Sequence, residues 1–299
     1  MSHKADIKTE FFLRFCPFSF QKGLLVLFLT RCQGLMFDKK GLFYPNIDAC
    51  PQPLCKQKLH SCQIAKFSYF YPMCGRFSLA LPEQKIREAL PFAEIKLTIR
   101  PNYNIAPTQH AYILTNEKPH QLQYVTWGLI PFWANNGRNT GDLINARAEG
   151  IESKPSFRLP IRQRRCLVLA DGFYEWLKTG KKRLPYRIVP KNEKLLTFAG
   201  VWDIWDKDGY PVYSFSIITV PANREVASLH DRMPLILPPE ERLRWLDELP
   251  LEEVLSMLHQ PTDGQLRIYR VSSAVNNVQN NGPELYEEEP EQLDLFSQR

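Results

Sequence analysis

The sequence has no long hydrophobic run and no internal repeat. Its longest apolar stretch is Leu24–Leu29, far below the roughly 20 residues that a membrane-spanning helix needs. No segment recurs at the spacing of about 20 to 50 residues that marks solenoids and propellers. We therefore expect neither a membrane protein nor a repeat protein.

Extreme composition is also absent. Hydrophobic residues make up 44% and charged residues 23% of the 299 positions, which are ordinary globular values. Collagen-like, coiled-coil and wholly disordered classes are excluded, and the chain is long enough to bury a core without disulfides or metal.

Tryptophan is missing from residues 1–72, and acidic residues are scarce there. That segment holds ten Lys or Arg and four Asp or Glu, which accounts for the whole formal charge of +6. The apolar stretch Leu24–Leu29 begins too late and is too short for the core of a signal peptide. No small-residue cleavage site follows it closely, which also argues against a signal peptide. We predict a non-native or removed extension at 1–72.

Paired C-x2-C motifs, which hold tetrahedral zinc, are lacking as well. Cys50, Cys55, His60 and Cys62 are spaced irregularly, so we interpret them as scattered thiols rather than as a metal site. The total of seven cysteines is odd, which disfavours a disulfide framework and favours a reducing cytoplasm. We predict no metal and no organic cofactor.

From Met73 onward the pattern becomes regular. A short helix is predicted over 82–90, and two more over 239–248 and 251–259, from apolar residues at helical spacing. Thr179-Gly180 and Asp208-Gly209 are typical hairpin tips. Runs rich in Val, Ile and aromatic residues predict strands at 111–115, 121–129, 165–170, 172–178, 185–189, 195–202, 212–220, 233–237 and 266–271. The sequence therefore predicts one α+β domain over 73–284, with a curled, mostly antiparallel sheet or barrel and a few flanking helices.

Cys74 follows Met73 directly. If it became the first residue, its α-amine (pKa about 7.7 to 8.0) and its thiol (pKa about 8.5) would stand side by side and be partly nucleophilic at neutral pH. An aldehyde would form an imine with the amine, and the thiol would close it to a thiazolidine, helped by intramolecular proximity. The alternative for a lone cysteine is a buried small hydrophobe.

Further motifs follow Cys74 in order. They are Asn104–Thr108, Trp127–Pro131, Leu143–Glu149, Ala170–Trp176, Leu229–Pro234 and Ser272–Val278. Together with Cys74 they closely resemble the SOS-response-associated peptidase (SRAP) family of abasic-site processing proteins, from Met73 to about Leu285.

The resemblance implies a DNA-damage protein that caps abasic sites in single-stranded DNA with a covalent thiazolidine, with crosslinking, lyase-type and peptidase chemistry. By motif, Cys74 is the nucleophile, Asn145 orients the sugar or the amine, Glu175 relays protons and His230 assists ring opening. Arg76 and Arg147 are expected to bind phosphates. Opening the closed sugar calls for a general acid and a base, roles that suit His and Glu.

Each role has a structural alternative. Asn145 could cap a turn, Glu175 could be a solvent-facing strand residue, and His230 could be a hydrogen-bonded structural histidine. We assign no catalytic role to Asp231 and Arg232, which could form a local ion pair.

DNA binding has separate support. Arg158, Arg162, Arg164 and Arg165 form a basic run, and three aromatic residues, Trp127, Phe132 and Trp133, lie in a Gly- and Pro-rich stretch. Basic grooves with stacking aromatics bind single strands. We therefore predict DNA contacts at Trp127, Phe132, Trp133, Arg162 and Arg164, although aromatic residues also serve as core.

The chain end is acidic, and we predict a disordered tail over 285–299. Within it, Gln292, Leu293, Leu295 and Phe296 resemble the short motif that docks bacterial repair proteins on the DNA polymerase sliding clamp. We therefore expect single-stranded DNA with abasic sites and the clamp as partners, action at the nucleoid or replication fork, no membrane, and a monomer.

One departure from the family pattern matters. Cys74 is preceded by 73 residues, so its nitrogen is an amide and cannot form an imine. Either translation starts at Met73, or residues 1–73 are removed, which includes self-cleavage of the kind proposed for the family. Two other functions stay open: a non-covalent reader of single-stranded or modified DNA, and an N-terminal-nucleophile cysteine peptidase.

Overall fold

The computed structural model describes residues 75–138, 141–180, 182–192, 194–207 and 209–290, together with the backbone of two short strands before them. The chain divides into two compact units, Met1–Tyr69 and Phe70–Arg299. In the first unit, β1 (Leu35–Phe37) pairs antiparallel with β2 (Phe43–Pro45). All elements that follow belong to the second unit.

The second unit is built mainly of strands. They are β3 Phe77–Leu79, β4 Asn102–Ile105, β5 His110–Thr115, β6 Gln123–Trp127, β7 Asn145–Arg147, β8 Arg165–Ala170, β9 Gly172–Thr179, β10 Lys182–Pro190, β11 Leu196–Trp205, β12 Val212–Pro221, β13 Arg232–Pro234 and β14 Leu266–Arg270. The α-helices are α1 Glu83–Ala89, α2 Pro160–Gln163, α3 Arg242–Leu246 and α4 Leu251–Ser256. Single 3-10 turns lie at Val226–Ser228, Pro239–Glu241, Ser273–Asn276 and Pro283–Tyr286.

Five strands close into a mixed barrel in the order β11, β8, β5, β6, β12, with β12 pairing back to β11. The β6–β12 pair is parallel and the other barrel pairs are antiparallel. Gly200 permits the close approach of three strands, because a Cβ there would lie 2.8 Å from Cys166 Sγ and 2.9 Å from the Ser216 carbonyl oxygen. The predicted α+β fold with a barrel core is confirmed.

A second, antiparallel sheet has the order β14, β10, β9, β3, β4. The hairpin from β9 to β10 turns at Thr179-Gly180, as predicted, and Gly180 has φ +59°, which glycine adopts without a steric penalty. Gly209, at the other predicted tip, also has a positive φ (+75°), while Asp208 lies outside the described residues.

The predicted long strands and the helices are confirmed, and most of their ends are shifted by one or more residues. Among the strands and α-helices of the second unit, four short elements were not predicted, namely β3, β4, β7 and α2. They contain three or four residues each, which is too few for an alternating or helical pattern to stand out.

The predicted disordered tail requires a correction at its start. Leu285 is fully buried, and the Tyr286 hydroxyl contacts both carboxylate oxygens of Asp171 at 2.8 and 3.0 Å. The Glu289 amide donates to the Arg270 carbonyl oxygen. Residues 285–290 are therefore packed, because Leu285 completes a small apolar cluster with Tyr174, Val271 and Val275. Residues 291–299 lie outside the described part of the chain.

Candidate active site

The chain that follows Cys74 runs beside β9. Cys74 itself lies outside the described residues, which begin at Gly75. The Arg76 carbonyl oxygen accepts a hydrogen bond from the Tyr174 amide at 3.0 Å, and Phe77 pairs with Phe173. Gly75, which is bonded to Cys74, therefore directly precedes the segment that pairs with β9. The β9 residue bonded to Arg76 is Tyr174, which directly precedes Glu175.

Glu175 is buried on β9, with 4% of its surface exposed, and pairs in register with Tyr186 of β10. Carboxylates are rarely buried unless their charge is compensated, because burial removes their hydration. The alternative that Glu175 is a solvent-facing strand residue is therefore excluded. Its position fits a proton carrier shielded from bulk water.

Asn145 begins β7, which pairs in parallel with β12. Its side chain is partly exposed, whereas the preceding Ile144 is buried. The Ile144 carbonyl oxygen accepts the indole N–H of Trp127 at 2.9 Å, and the Trp127 ring lies 4.9 Å from that of Phe77. A continuous set of contacts therefore joins the segment after Cys74 to Asn145.

Trp127 itself requires a correction. Its side chain is fully buried in the core, so its ring has no face to offer a DNA base. The Gly- and Pro-rich context indicated an exposed aromatic, but Trp127 ends a barrel strand whose register turns it inward beside Phe215 of β12. Trp127 contacts the site from within the core, through the Phe77 ring and the Ile144 carbonyl oxygen.

His230 precedes β13. Its amide donates to the Val226 carbonyl oxygen at 3.1 Å, and its side chain is 25% exposed. The ring nitrogen Nδ1 lies 3.0 Å from the backbone N of Arg232 and 2.8 Å from Asp231 Oδ1. The imidazole is thus partly shielded and held from its Nδ1 side.

Strand β12 pairs with β7, which ends at Arg147, and with β13, which begins at Arg232. Glu149 lies two residues after β7. Thr219 of β12 pairs with Arg147 on one side and with Pro234 on the other. The Arg232 guanidinium binds both carboxylate oxygens of Glu149, one of them at 2.8 Å, and donates to the Thr219 carbonyl oxygen at 2.5 Å. Hydrogen bonding to Arg232 lowers the pKa of Glu149. The sequence reasoning missed Glu149 and assigned Arg232 no role, because a pair so distant along the chain leaves no local pattern.

Arg76 holds the Ser272–Val278 motif in place. Its guanidinium donates to Asn104 Oδ1 at 2.8 Å and to the Val275 carbonyl oxygen at 2.7 Å. Asn104 is buried and donates to the carbonyl oxygens of the same loop. The structure therefore gives Arg76 a role in joining motifs, and its predicted phosphate contact stays a prediction.

Phe132 and Trp133 are exposed by 47% and 48%. The loop that carries them is fixed on β11, because the Phe132 amide donates to Asp203 at 2.9 Å and the Trp205 indole donates to the Ala134 carbonyl oxygen at 3.0 Å. Two aromatic rings are thus presented to solvent on an anchored backbone, the arrangement that base stacking requires.

The predicted basic run splits into exposed and buried members. Arg158 and Arg162 are exposed. Arg164 forms an ion pair with the buried Asp203, and Arg165 is buried, with its guanidinium donating to four backbone carbonyl oxygens around the ends of α2 and α3. Within this run, Arg158 and Arg162 are therefore the side chains that are exposed to solvent.

Among the described residues, no group of three or more His, Cys, Asp or Glu side chains is arranged to hold a metal ion. The cluster from Cys50 to Cys62 lies outside them, as do Gln292, Leu293, Leu295 and Phe296. No helix in the described residues is both long and apolar enough to cross a bilayer.

The fold and the site define a barrel protein that combines a buried carboxylate and a shielded imidazole with exposed arginines and aromatics. Residues 73–278 match the model of the family described as SOS response associated peptidase (SRAP). The chain belongs to the SRAP family.

Several relatives cover similar shares of the chain. It is 39% identical over 226 residues to abasic site processing protein YoqW of Bacillus subtilis, covering 72% of this chain and 99% of YoqW. It is 32% identical to abasic site processing protein HMCES of Gallus gallus, over 71% of this chain and 76% of that protein. A crystal structure of a protein from Bacteroides thetaiotaomicron, 27% identical, superposes with a TM-score of 0.65 over 73% of this chain and 100% of its own. About three quarters of this chain therefore matches nearly the whole length of YoqW and of the Bacteroides protein.

Proposed function

We propose that this protein captures abasic sites in single-stranded DNA as a covalent thiazolidine at Cys74. The observation that carries the proposal is the course of the chain after Cys74, held beside β9 next to the buried Glu175. The relatives YoqW and HMCES are both named for abasic-site processing. An abasic sugar in its open form supplies the aldehyde that an amine beside a thiol can capture.

The chemistry balances without a cofactor. The closed sugar first opens to an aldehyde and a hydroxyl group. The Cys74 α-amine adds to the aldehyde carbon and water leaves, which gives an imine. The thiol sulfur then adds to the imine carbon while its proton passes to the nitrogen. In this scheme Glu175 moves protons, Asn145 orients the sugar or the amine, and His230 assists ring opening.

The α-amine of Cys74 must first be released from the Met73–Cys74 peptide. Hydrolysis adds water across that bond, leaving a carboxylate on Met73 and an amine on Cys74. We propose that Glu175 assists this self-cleavage when the longer chain is made. Translation from Met73, followed by removal of the methionine, would yield the same terminus.

The proposed DNA surface comprises Phe132, Trp133, Arg147 and Arg162. All four are exposed, and the pairing of aromatic with basic groups is typical of single-strand grooves. Arg76 and Arg164 would contact DNA only through donors left over from their bonds to Asn104 and Asp203. Affinity is expected to fall with salt, since phosphate contacts release counterions.

Intact-mass spectrometry tests the reaction. The full-length protein and a chain started at Met73 are each weighed, then incubated with single-stranded DNA that carries one abasic site. We expect a mass beginning at Cys74, then an adduct equal to protein plus DNA less one water. Cys74→Ala should give no adduct, and Glu175→Gln should slow adduct formation.

Other outcomes identify the remaining functions. A processed protein that binds the DNA without an adduct, and a Cys74→Ala variant that binds equally well, would identify a non-covalent reader. Hydrolysis of peptide reporters without any DNA adduct would identify a peptidase. Strand cleavage at the abasic site, followed on a gel, measures lyase activity.

We propose a second partner for the chain end. Gln292, Leu293, Leu295 and Phe296 resemble a clamp-docking peptide, in which apolar anchors fill a groove and a glutamine makes polar contacts. Docking would bring the protein to replication forks. Binding of a peptide of residues 284–299 to purified bacterial sliding clamp is expected, and a peptide with Leu295→Ala and Phe296→Ala should not bind.

A further inference from the structure

His230 has two competing partners at a single ring nitrogen. The Arg232 backbone N–H reaches Nδ1 at 3.0 Å, and Asp231 Oδ1 lies 2.8 Å from the same atom. An amide N–H can only donate, so its bond needs a lone pair on Nδ1. An ionised carboxylate can only accept, so its bond needs a proton there.

The partner at Nδ1 decides what the opposite nitrogen can do. In the neutral ring, a lone pair on Nδ1 leaves the proton on Nε2, which then donates a hydrogen bond. A proton on Nδ1 leaves Nε2 as an acceptor, which suits a base. The tautomer of His230 therefore determines its role toward a sugar.

The difference in burial favours the Arg232 amide over the Asp231 carboxylate as the partner of His230 Nδ1. The Asp231 side chain is 84% exposed, so water satisfies its carboxylate and its pairing with the ring contributes little. The Arg232 side chain is 10% exposed, both terminal nitrogens of its guanidinium donate to Glu149, and one of them also donates to the Thr219 carbonyl oxygen. Loss of the bond to Nδ1 would leave a partly buried N–H without its acceptor, which is costly.

We propose that Glu149 is a positioning residue. By fixing Arg232 it keeps the Arg232 amide directed at His230 Nδ1, so that the neutral imidazole carries its proton on Nε2. The function of this arrangement rests on the proposed capture of abasic sites. During ring opening the sugar hydroxyl proton passes to Glu175, and the bond from the anomeric carbon to the ring oxygen breaks. Nε2–H stabilises the charge on that oxygen until Glu175 returns the proton to it.

Other charged groups surround this pair. Asp231 and Arg232 lie on the same segment as His230. Arg147 ends β7, and the segment that follows it carries Glu149, Glu152 and Lys154. Lys154 donates to the Arg147 carbonyl oxygen at 2.8 Å. Glu152 and Glu149 line one cavity. Glu152→Gln therefore removes the same charge close by, without removing the ligand of Arg232.

Nitrogen NMR of histidine-labelled protein reads the tautomer without DNA. The chain started at Met73 is used, with His230 assigned by loss of its signals in His230→Gln. We expect an unprotonated Nδ1 and a protonated Nε2 in the neutral ring. Glu149→Gln should shift the signals toward a mixture, while Glu152→Gln and Asp231→Asn should leave them unchanged. A protonated Nδ1 in the unsubstituted protein, or unchanged signals in Glu149→Gln, would overturn the proposal.

The adduct assay supplies the second readout. Glu149→Gln should lower the rate of adduct formation about tenfold, the effect of a barrier change of about 1.4 kcal/mol, and should alter its pH profile, while Glu152→Gln should do neither. A slow Glu149→Gln variant with an unchanged tautomer would overturn the proposal. If the unsubstituted protein forms no adduct, the proposed function fails, and the NMR result still decides the tautomer.

Discussion

The indole N–H of Trp127 donates to the carbonyl oxygen of Ile144 across 2.9 Å. Because the same ring packs on Phe77, and Ile144 precedes Asn145, one buried side chain connects two segments of the candidate site. The bond lies inside the core, where an unmet carbonyl is costly.

Trp127→Phe is expected to lower the free energy of unfolding by about 2 to 4 kcal/mol, through the lost hydrogen bond and a small cavity. It should also slow adduct formation by the folded protein. Trp245→Phe is the matched control, since Trp245 is equally buried and donates to the Cys166 carbonyl oxygen at 3.0 Å. Urea unfolding and adduct kinetics check both. Equal effects of the two variants on kinetics would refute a specific role for Trp127.

Trp133→Ala and Phe132→Ala should each weaken binding of single-stranded DNA by about 1 to 3 kcal/mol, the contribution of one stacked base. Stability should change little, because both rings are about half exposed. Tyr124→Ala, which removes an exposed ring from the outside of β6 (54% exposed), is the control. Fluorescence anisotropy measures affinity, and equal losses in all three variants would contradict the assigned surface.

Arg162 and Arg165 should differ sharply although they are three residues apart. Arg162→Ala should change stability by no more than about 0.5 kcal/mol and reduce the slope of DNA affinity against salt by about one unit. Arg165→Met should cost about 3 kcal/mol or more, because it leaves buried carbonyl oxygens without donors. Titrations at several salt concentrations and urea unfolding separate the two. An unchanged salt slope in Arg162→Ala would remove it from the interface.

The pair of Glu149 and Arg232 should make stability depend on pH. Hydrogen bonding to Arg232 lowers the pKa of Glu149 in the folded state, so its contribution is present above the ordinary carboxyl pKa and is lost as pH falls through the lowered value. Since Glu149 is 56% exposed, we expect a difference of no more than about 1 kcal/mol between the unsubstituted protein and Glu149→Gln at neutral pH.

Urea unfolding at several pH values checks this prediction. The difference between the two proteins should shrink in acid and stay constant above about pH 6. Glu253→Gln removes an exposed pair with Arg244 and is the control. A difference that grows in acid would contradict the stated sign.

Two deletions can distinguish the packed Leu285 and Tyr286 from the predicted docking motif at Gln292–Phe296. Deletion of 291–299 should leave the free energy of unfolding unchanged and abolish clamp binding. Deletion of 285–299 should lower it by about 3 kcal/mol or more, because it also removes the buried Leu285 and the Tyr286 hydroxyl that contacts Asp171. Comparison of the two deletions by thermal unfolding separates a packed segment from a docking peptide. Equal stability in both would contradict the packing of 285–290.

The sequence was sufficient for features that depend on local pattern. Runs rich in Val, Ile and aromatic residues predicted the long strands, and the predicted bounds 165–170 match β8. Thr179-Gly180 marked a hairpin tip because only a few residues adopt its backbone without strain. The ordered motifs from Cys74 to Val278 were enough to identify the family.

The sequence did not show which side chains are buried or which of them form hydrogen bonds with distant parts of the chain. Trp127 and Trp133 lie in one Gly- and Pro-rich stretch, yet one is fully buried and the other is about half exposed. Arg162 and Arg165 belong to one basic run, but only Arg165 meets the ends of two helices.

The sequence by itself determined the strand-rich fold, the family and the types of reactive groups, since these depend on neighbouring residues and on the chemistry of each side chain. Only the tertiary structure decided which groups meet. Glu149 and Arg232 are 83 residues apart in the chain, and Trp127 and Ile144 are 17 apart. Their contacts exist because the closure of the barrel fixes the register of β7, β12 and β13, and register depends on the packing of the whole core.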